Sequence, residues 1–265
     1  MDTKNHSFVI PAYGSSPYLE KCIESLMQQT KKSKILITTS TPSDFLKDIA
    51  NNYQLELIIN PTPSSIGNDW NFALGVTDTK YVTIAHQDDI YGPQYTERLL
   101  KKINAAKNKN VLIAFTGYWD LIDNQIRKNS LNAWIKKLLL TPFIISETIT
   151  SKHLKKTILL FGNPICCPSV TFNKENISNF KFSTTYSCTL DWFAWYQLAK
   201  QTGSFLYINQ QLVQHRIHRE SETTNQITNG KRAIEEYLFF EQIWGKHIAG
   251  VLSRFYSKGY KNNDI

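Results

Sequence analysis

The sequence predicts an α/β protein built on a mostly parallel sheet with helices on both faces. Three observations predict it. Short apolar runs recur through the first 115 residues. Stripes of apolar residues at helical spacing lie between them. The two alternate as β-α-β-α-β-α-β, the order that covers both faces of a parallel sheet.

The elements follow in turn. Ser7–Ile10 is an apolar strand ending at Pro11. Ser16 then Pro17 reads as an N-cap followed by a first-turn proline. Leu19, Cys22, Ile23, Leu26 and Met27 then form one helical face. Lys34–Thr38 is the second strand, and Phe45, Leu46, Ile49 and Tyr53 mark the second helix. Leu55–Ile59 is a strand, Asn68–Val76 a helix, Tyr81–Ala85 a strand, Pro93–Ile103 a helix and Val111–Phe115 a strand.

The second half is less regular. Leu131, Trp134, Ile135, Leu138 and Leu139 keep helical spacing, with Lys136 and Lys137 between them. Helices are expected over Lys152–Phe161 and Asp191–Lys200. Short strands are expected at Ser169–Phe172, Phe205–Ile208 and Leu212–His215. Residues 1–225 read as one domain and 226–265 as a helical C-terminal extension, in phase from Lys231 to Phe255. The tail SKGYKNNDI is polar and expected to fray.

Composition narrows the class. A chain of 265 residues with 42% hydrophobic content suits one large core. No run approaches the roughly 20 apolar residues a bilayer span needs. MDTKNHSFVI shows no signal-peptide pattern. A cytoplasmic protein is expected, with a peripheral place at the inner face of a membrane as a variant. Cys22, Cys166, Cys167 and Cys188 have neither zinc-site nor disulfide-framework spacing. The net charge is +8, and eleven Lys/Arg face three acids between Lys101 and Lys156. That excess suits a solvated face, a membrane surface or a phosphorylated substrate. Nucleic-acid binding lacks any matching motif.

Parallel sheets bind ligands beyond the carboxyl ends of their strands. Those positions hold PAYGSS, TTSTPSD and HQDD. In HQDD, two adjacent carboxylates must be separated, protonated or bridged by a cation. Mg²⁺ or Mn²⁺, bound by carboxylates plus substrate phosphates, would resolve the repulsion; a solvated turn is the alternative. The hydroxyl cluster from Thr38 to Ser43 could line a nucleotide pocket, or be a loop with Ser43 as N-cap. Asp191 in LDWFAW is either a helix cap or a general base whose pKa the surrounding Trp192, Phe193 and Trp195 would raise. HRIHRES, His215 to Ser221, could hold a diphosphate or be simple surface charge, and no Cys or third His lies nearby for zinc.

These segments, in this order, resemble the family 2 glycosyltransferases, which have the nucleotide-sugar-binding GT-A fold. FVIPAYGSSPYLEKCIESLMQQT is close to the family's opening. The stretch running into HQDD is similar to the segment that leads to its D-x-D metal motif. GNPICCPSVTF, LDWFAWYQLAK and HRIHRES resemble its acceptor-side strand, base motif and R-x-H-x-x-S lid. The resemblance covers roughly residues 7 to 224. It implies inverting transfer from a nucleoside-diphosphate sugar, a UDP-sugar first among them, to a hydroxyl of a glycan or lipid-linked acceptor in cell-envelope or capsular polysaccharide synthesis. It implies that Pro11, Ala12 and Tyr13 flank the base and ribose, with Thr38, Thr39, Asp69 and Asn71 also on the donor side. Asp88 would be the metal ligand. Asp89 would contact the donor sugar or support the metal shell. Asp191 would be the base, and Arg216 and His218 would close over the diphosphate.

Three departures stand out. Thr38 and Thr39 replace two aspartates, His86 replaces the first acid of D-x-D, and Asp69-Trp70-Asn71 replaces A-R-N. They bear on donor choice more than on fold. They also frame the competing reading, a catalytically inactive GT-A-like partner subunit, against which the retention of Asp88 and Asp191 speaks. The C-terminal helix carries Tyr237, Phe239, Phe240 and Trp244 on more than one side. That suits packing against the domain or against a second copy in a homodimer.

Overall fold

The computed structural model describes residues 5–128, 130–218 and 229–257. One mixed sheet organises them. β1 (His6–Pro11), β2 (Lys34–Thr39), β3 (Glu56–Ile59) and β4 (Tyr81–Ile84) are parallel and ordered β3-β2-β1-β4. Helices α1 (Leu19–Met27), α2 (Asp44–Asn52) and α3 (Ile66–Gly75) connect them. The chain moves outward from β1 to β3 and then returns to β1's other side. That reversal opens a crevice beyond the carboxyl ends of β1 and β4.

After β4 come β5 (Ile90–Tyr91), α4 (Tyr95–Ala105), β6 (Val111–Ile122) and β7 (Gln125–Arg127). Then follow α5 (Leu131–Leu139), α6 (Pro142–Ile145), β8 (Thr148–Ile149), α7 (Lys152–Thr157) and β9 (Val170–Asn173). Last are α8 (Leu190–Ala199), β10 (Ser204–Ile217) and α9 (Lys231–Ser257). β9 lies antiparallel between β4 and β6, and β10 runs parallel to β6.

The alternation of side chains builds two cores. On β1, Phe8 and Ile10 face one side with Leu19, Ile23 and Tyr95. Val9 faces the other with Val82, Phe172 and Trp195. Burying both faces explains why these strands read as continuous apolar runs.

Several boundaries differ from expectation. Ser16 does not cap α1; its Oγ accepts the Tyr18 N–H in a turn, and the helix starts after Tyr18. The predicted strand at 111–115 continues to Ile122, because its later residues pair with β10. The two strands expected at 205–208 and 212–215 are one, interrupted by exposed Asn209 and Gln210 at a register shift. Such a bulge lets one strand keep pairing through a break in its apolar pattern. α7 ends at Thr157 rather than Phe161, and α9 is broken at Gly245, whose φ of 75° no helix accommodates.

The C-terminal helix packs on the domain. Phe239 and Phe240 are buried, Phe239 stacks on Trp192 at 4.0 Å, and the Trp244 indole donates to the Leu160 carbonyl. Among the described residues no helix is long and apolar enough to cross a membrane. The tail from Lys258 lies outside the described residues.

Candidate active site

The crevice starts with two loops tied together. The Tyr13 N–H donates to Gln87 Oε1 at 3.0 Å, and Gln87 Nε2 donates back to the Tyr13 carbonyl. Pro11 pairs with Thr38 across β1 and β2, and the Ala12 N–H donates to the Thr38 carbonyl at 2.7 Å. Ala12 is buried, whereas Tyr13 is 62% exposed and stands at the mouth.

A polar cradle lies beside them. Thr38 and Thr39 are buried at the end of β2. Thr38 Oγ1 has no hydrogen-bond partner among the described residues. Asp69 reaches across from the first turn of α3, accepting Asn60 Nδ2 at 2.8 Å and Ser40 Oγ at 3.0 Å. Asn71 differs. Its amide is engaged with the backbone of Phe182 in both directions, at 2.9 and 2.7 Å. It holds the segment after β9 against α3. Gly67 permits that approach, since a Cβ there would lie 2.4 Å from the Ser183 carbonyl oxygen.

At the end of β4, ligand atoms of His86, Asp88 and Asp89 lie within 4.8 Å of one another. Asp89 has no exposed surface. Its Oδ1 accepts the backbone N–H of Arg216 at 2.7 Å and His215 Nδ1 at 3.1 Å. These bonds tie the Asp89 carboxylate to the end of β10. Asp88 Oδ2 lies 3.1 Å from His218 Nε2. Burial alone would raise the Asp88 carboxyl, but the His218 bond and the neighbouring histidines hold it below the usual range. His86 is lowered, chiefly by burial, and stays neutral. Its ring lies 5.1 Å from Trp70, and its Nε2 is buried with no partner among the described residues. A neutral imidazole whose Nδ1 lies 3.9 Å from Asp89 Oδ2, beside the Asp88 carboxylate, suits a divalent cation such as Mn²⁺.

Arg216 closes this corner. Its Nε donates to the Asp88 carbonyl at 3.0 Å and its Nη1 to Asn124 Oδ1 at 2.9 Å, and the guanidinium lies 4.4 Å over the Tyr18 ring. Nη2 is buried with no partner among the described residues. Asn124 is placed by a two-residue turn between β6 and β7, where Asp123 and Asn124 both have positive φ. Ser221 of the R-x-H-x-x-S segment lies outside the described residues.

Asp191 stands in the first turn of α8. Its Oδ1 accepts the Trp192 N–H at 2.7 Å and its Oδ2 accepts Asn163 Nδ2 at 2.8 Å. Burial raises its carboxyl to about 6, against the opposing pull of these bonds and of Arg232 and Lys136. Burial also raises the Cys166 and Cys167 thiols, and the charges of Asp89 and Asp191 both add to it. The two carboxylates therefore act on the same buried pair.

The sequence reading missed Tyr18, Asn124, Asn163 and His215's contact with Asp89. Only Asn124 had a local signal, the Asp-Asn pair between strand-like runs.

The switch point of a mixed sheet thus carries a carboxylate cluster, and a half-buried acid stands at the start of α8. Residues 7–175 match the model for Glycosyl transferase family 2, and the chain belongs to that family. An uncharacterized glycosyltransferase of Rickettsia prowazekii is 25% identical over 245 residues, 90% of this chain and 70% of that one. S. aureus TarS 1–349 in complex with UDP-GlcNAc superposes with TM-score 0.63 at 13% identity, covering 83% of this chain and 60% of that chain. The mannosyltransferase PcManGT from Pyrobaculum calidifontis, in complex with GDP-Man and Mn²⁺, gives 0.62 at 10% identity, covering 98% and 70%. The structural likenesses show the fold.

Proposed function

We propose that this glycosyltransferase moves a sugar, with inversion, from a nucleoside-diphosphate sugar to a hydroxyl of a glycan or lipid-linked acceptor. A UDP-sugar is the favoured donor, and cell-envelope or capsular polysaccharide synthesis the favoured setting. The observation that carries the reading is the His86–Asp88–Asp89 group at the switch point, whose ligand atoms lie within 4.8 Å of one another. The structures of two fold neighbours, TarS with UDP-GlcNAc and PcManGT with GDP-Man and Mn²⁺, support it.

On this reading Tyr13, Thr38, Thr39 and Asp69 receive the nucleoside. Asn71 shapes that side through the Phe182 segment it holds. Asp88 and His86 would hold a divalent ion, which when bound would neutralise the diphosphate leaving group. Asp89 fixes the end of β10 beside them. Arg216 offers Nη2 to the diphosphate, and His218 adds a donor from the same segment. Asp191 takes the proton from the acceptor hydroxyl as that oxygen attacks the anomeric carbon and the bond to the diphosphate breaks.

The test is thermal stabilisation by a panel of nucleoside diphosphates and sugar nucleotides, with and without Mn²⁺, on wild type and Asp88→Asn. A ligand of the folded state contributes about 2.7 kcal/mol at a hundredfold excess over its dissociation constant. A Mn²⁺-dependent shift with one nucleotide, lost in Asp88→Asn, is expected and would name the base. No shift with any nucleotide would favour the inactive partner subunit.

A further inference from the structure

Helix α5 is amphipathic but turned the wrong way for a core helix. Leu131, Trp134, Ile135 and Leu138 fall at i, i+3, i+4 and i+7, a spacing that ordinarily faces a core. All four are exposed, Trp134 by 65% and Leu131 by 63%. No α5 residue is buried. The inward side instead carries Lys136, whose Nζ donates to Tyr118 Oη at 2.6 Å. The following helix continues the pattern. Phe143 turns inward, while Ile144 and Ile145 are exposed by 81% and 93%. Six large apolar side chains are thus exposed within the fifteen residues 131–145. Soluble surfaces rarely carry such a concentration without a partner.

Charge identifies the partner. From Asn124 to Ser146 the sequence has no Asp or Glu, but has Arg127, Lys128, Lys136 and Lys137. Lys128 and Lys137 share a concavity of about 360 Å³ with Leu131 and Trp134. Apolar side chains, a tryptophan and lysines without acids are the recipe for an interfacial helix on anionic lipid. A symmetric contact with a second copy would bring the same basic patch against itself, which like charges oppose.

We propose that residues 131–145 dock the protein onto an anionic lipid surface. Docking stands on this surface alone. Its consequence rests on the proposed function: Lys136, on the inward side of the same helix, acts electrostatically on Asp191. Leu139 of the same helix also packs against Gly162, next to the Asn163 that donates to Asp191, which sets the docked helix near the base, where an acceptor carried on a lipid would arrive.

The experiment is co-sedimentation of the full chain with phosphatidylglycerol–phosphatidylcholine vesicles and with phosphatidylcholine alone, at low and high salt. Wild type is expected to bind the anionic vesicles, at least tenfold more weakly at high salt. Trp134→Glu with Leu138→Glu should abolish binding with an unchanged melting temperature. Lys128→Glu and Lys137→Glu should each weaken it by about fivefold or more, as expected for roughly 1 kcal/mol per basic residue near a charged bilayer. Absence of wild-type binding, or binding unaffected by Trp134→Glu with Leu138→Glu, would overturn the proposal. So would a dimer in light scattering that these substitutions dissociate, since the face would then belong to a second copy. The nucleotide shift is read on the same samples. Vesicle binding without any nucleotide response would sink the transferase reading and leave the docking intact.

Discussion

The Asp89 carboxylate accepts the backbone N–H of Arg216 at 2.7 Å across 127 residues of chain. This bond fastens the end of β10 to the loop after β4. It places Arg216 and His218 against Asp88. A fully buried carboxylate answered by a backbone donor and a histidine loses more when broken than an exposed pair would.

Asp89→Ala should therefore destabilise the fold by roughly 2–4 kcal/mol, because it strands a buried N–H and the His215 imidazole. Urea unfolding of the variant checks this. A change under 0.5 kcal/mol would mean that the β10 end is held by other contacts.

The pH response of Asp191 is a second expectation. Burial lifts its carboxyl to about 6. A base must be ionised, so turnover should fall as pH drops through 6, on the acidic limb of the profile. The stability sign is opposite. Between the ordinary value of 3.8 and about 6 the native state holds the extra proton, so ionisation at higher pH costs stability. Asp191→Asn should abolish turnover, and its stability relative to wild type should improve as pH rises from 4 to 8. Retained turnover in this variant would remove Asp191 from the base role.

Gly67 supplies a third. A Cβ at this position would sit 2.4 Å from a backbone oxygen, where no flexible side chain can yield. Gly67→Ala should push the 183–184 backbone off α3 and lower stability by about 1–3 kcal/mol, the usual cost of overpacking. Because Asn71 clasps the neighbouring Phe182, nucleotide affinity should fall as well. Thermal shift with and without nucleotide separates the two effects. An unchanged melting temperature would show that the segment yields freely.

The first half of the fold was legible because β1, β2 and β4 are buried on both faces and α1 and α2 show their stripes. Val9 and Ile10 need no distant partner to be read as strand. The switch-point loops followed from that order, and with them Pro11–Tyr13, Thr38, Thr39 and the Asp88–Asp89 pair. Long-range pairing was not legible. Nothing near Thr116 says that β6 extends to meet β10, and nothing near Asn163 says that its amide meets Asp191. α5 shows the limit of periodicity, since a stripe gives the face of a helix but not what lies against it.

Glu235 provides the last expectation, and it links the C-terminal helix to the site. Its buried carboxylate accepts the backbone N–H groups of Ser187, Cys188 and Thr189 and the hydroxyls of Ser187 and Thr189. These donors lie immediately before α8, so a residue of α9 caps the helix that carries Asp191. Burial would raise this carboxyl, but the converging N–H groups outweigh it and hold it at about 2. A depressed acid contributes stability above its unfolded value near 4.5, and that contribution is lost as pH falls toward 2. Glu235→Gln replaces one acceptor oxygen with a donor facing other donors, and should cost roughly 2–3 kcal/mol at pH 7. The deficit should shrink below about pH 4.5, where the unfolded wild-type chain takes up a proton that the native state refuses until about 2. Denaturant unfolding of both proteins across pH 2–8 gives the difference directly. A deficit constant across that range would mean that shape, and not charge, is what Glu235 contributes to the start of α8.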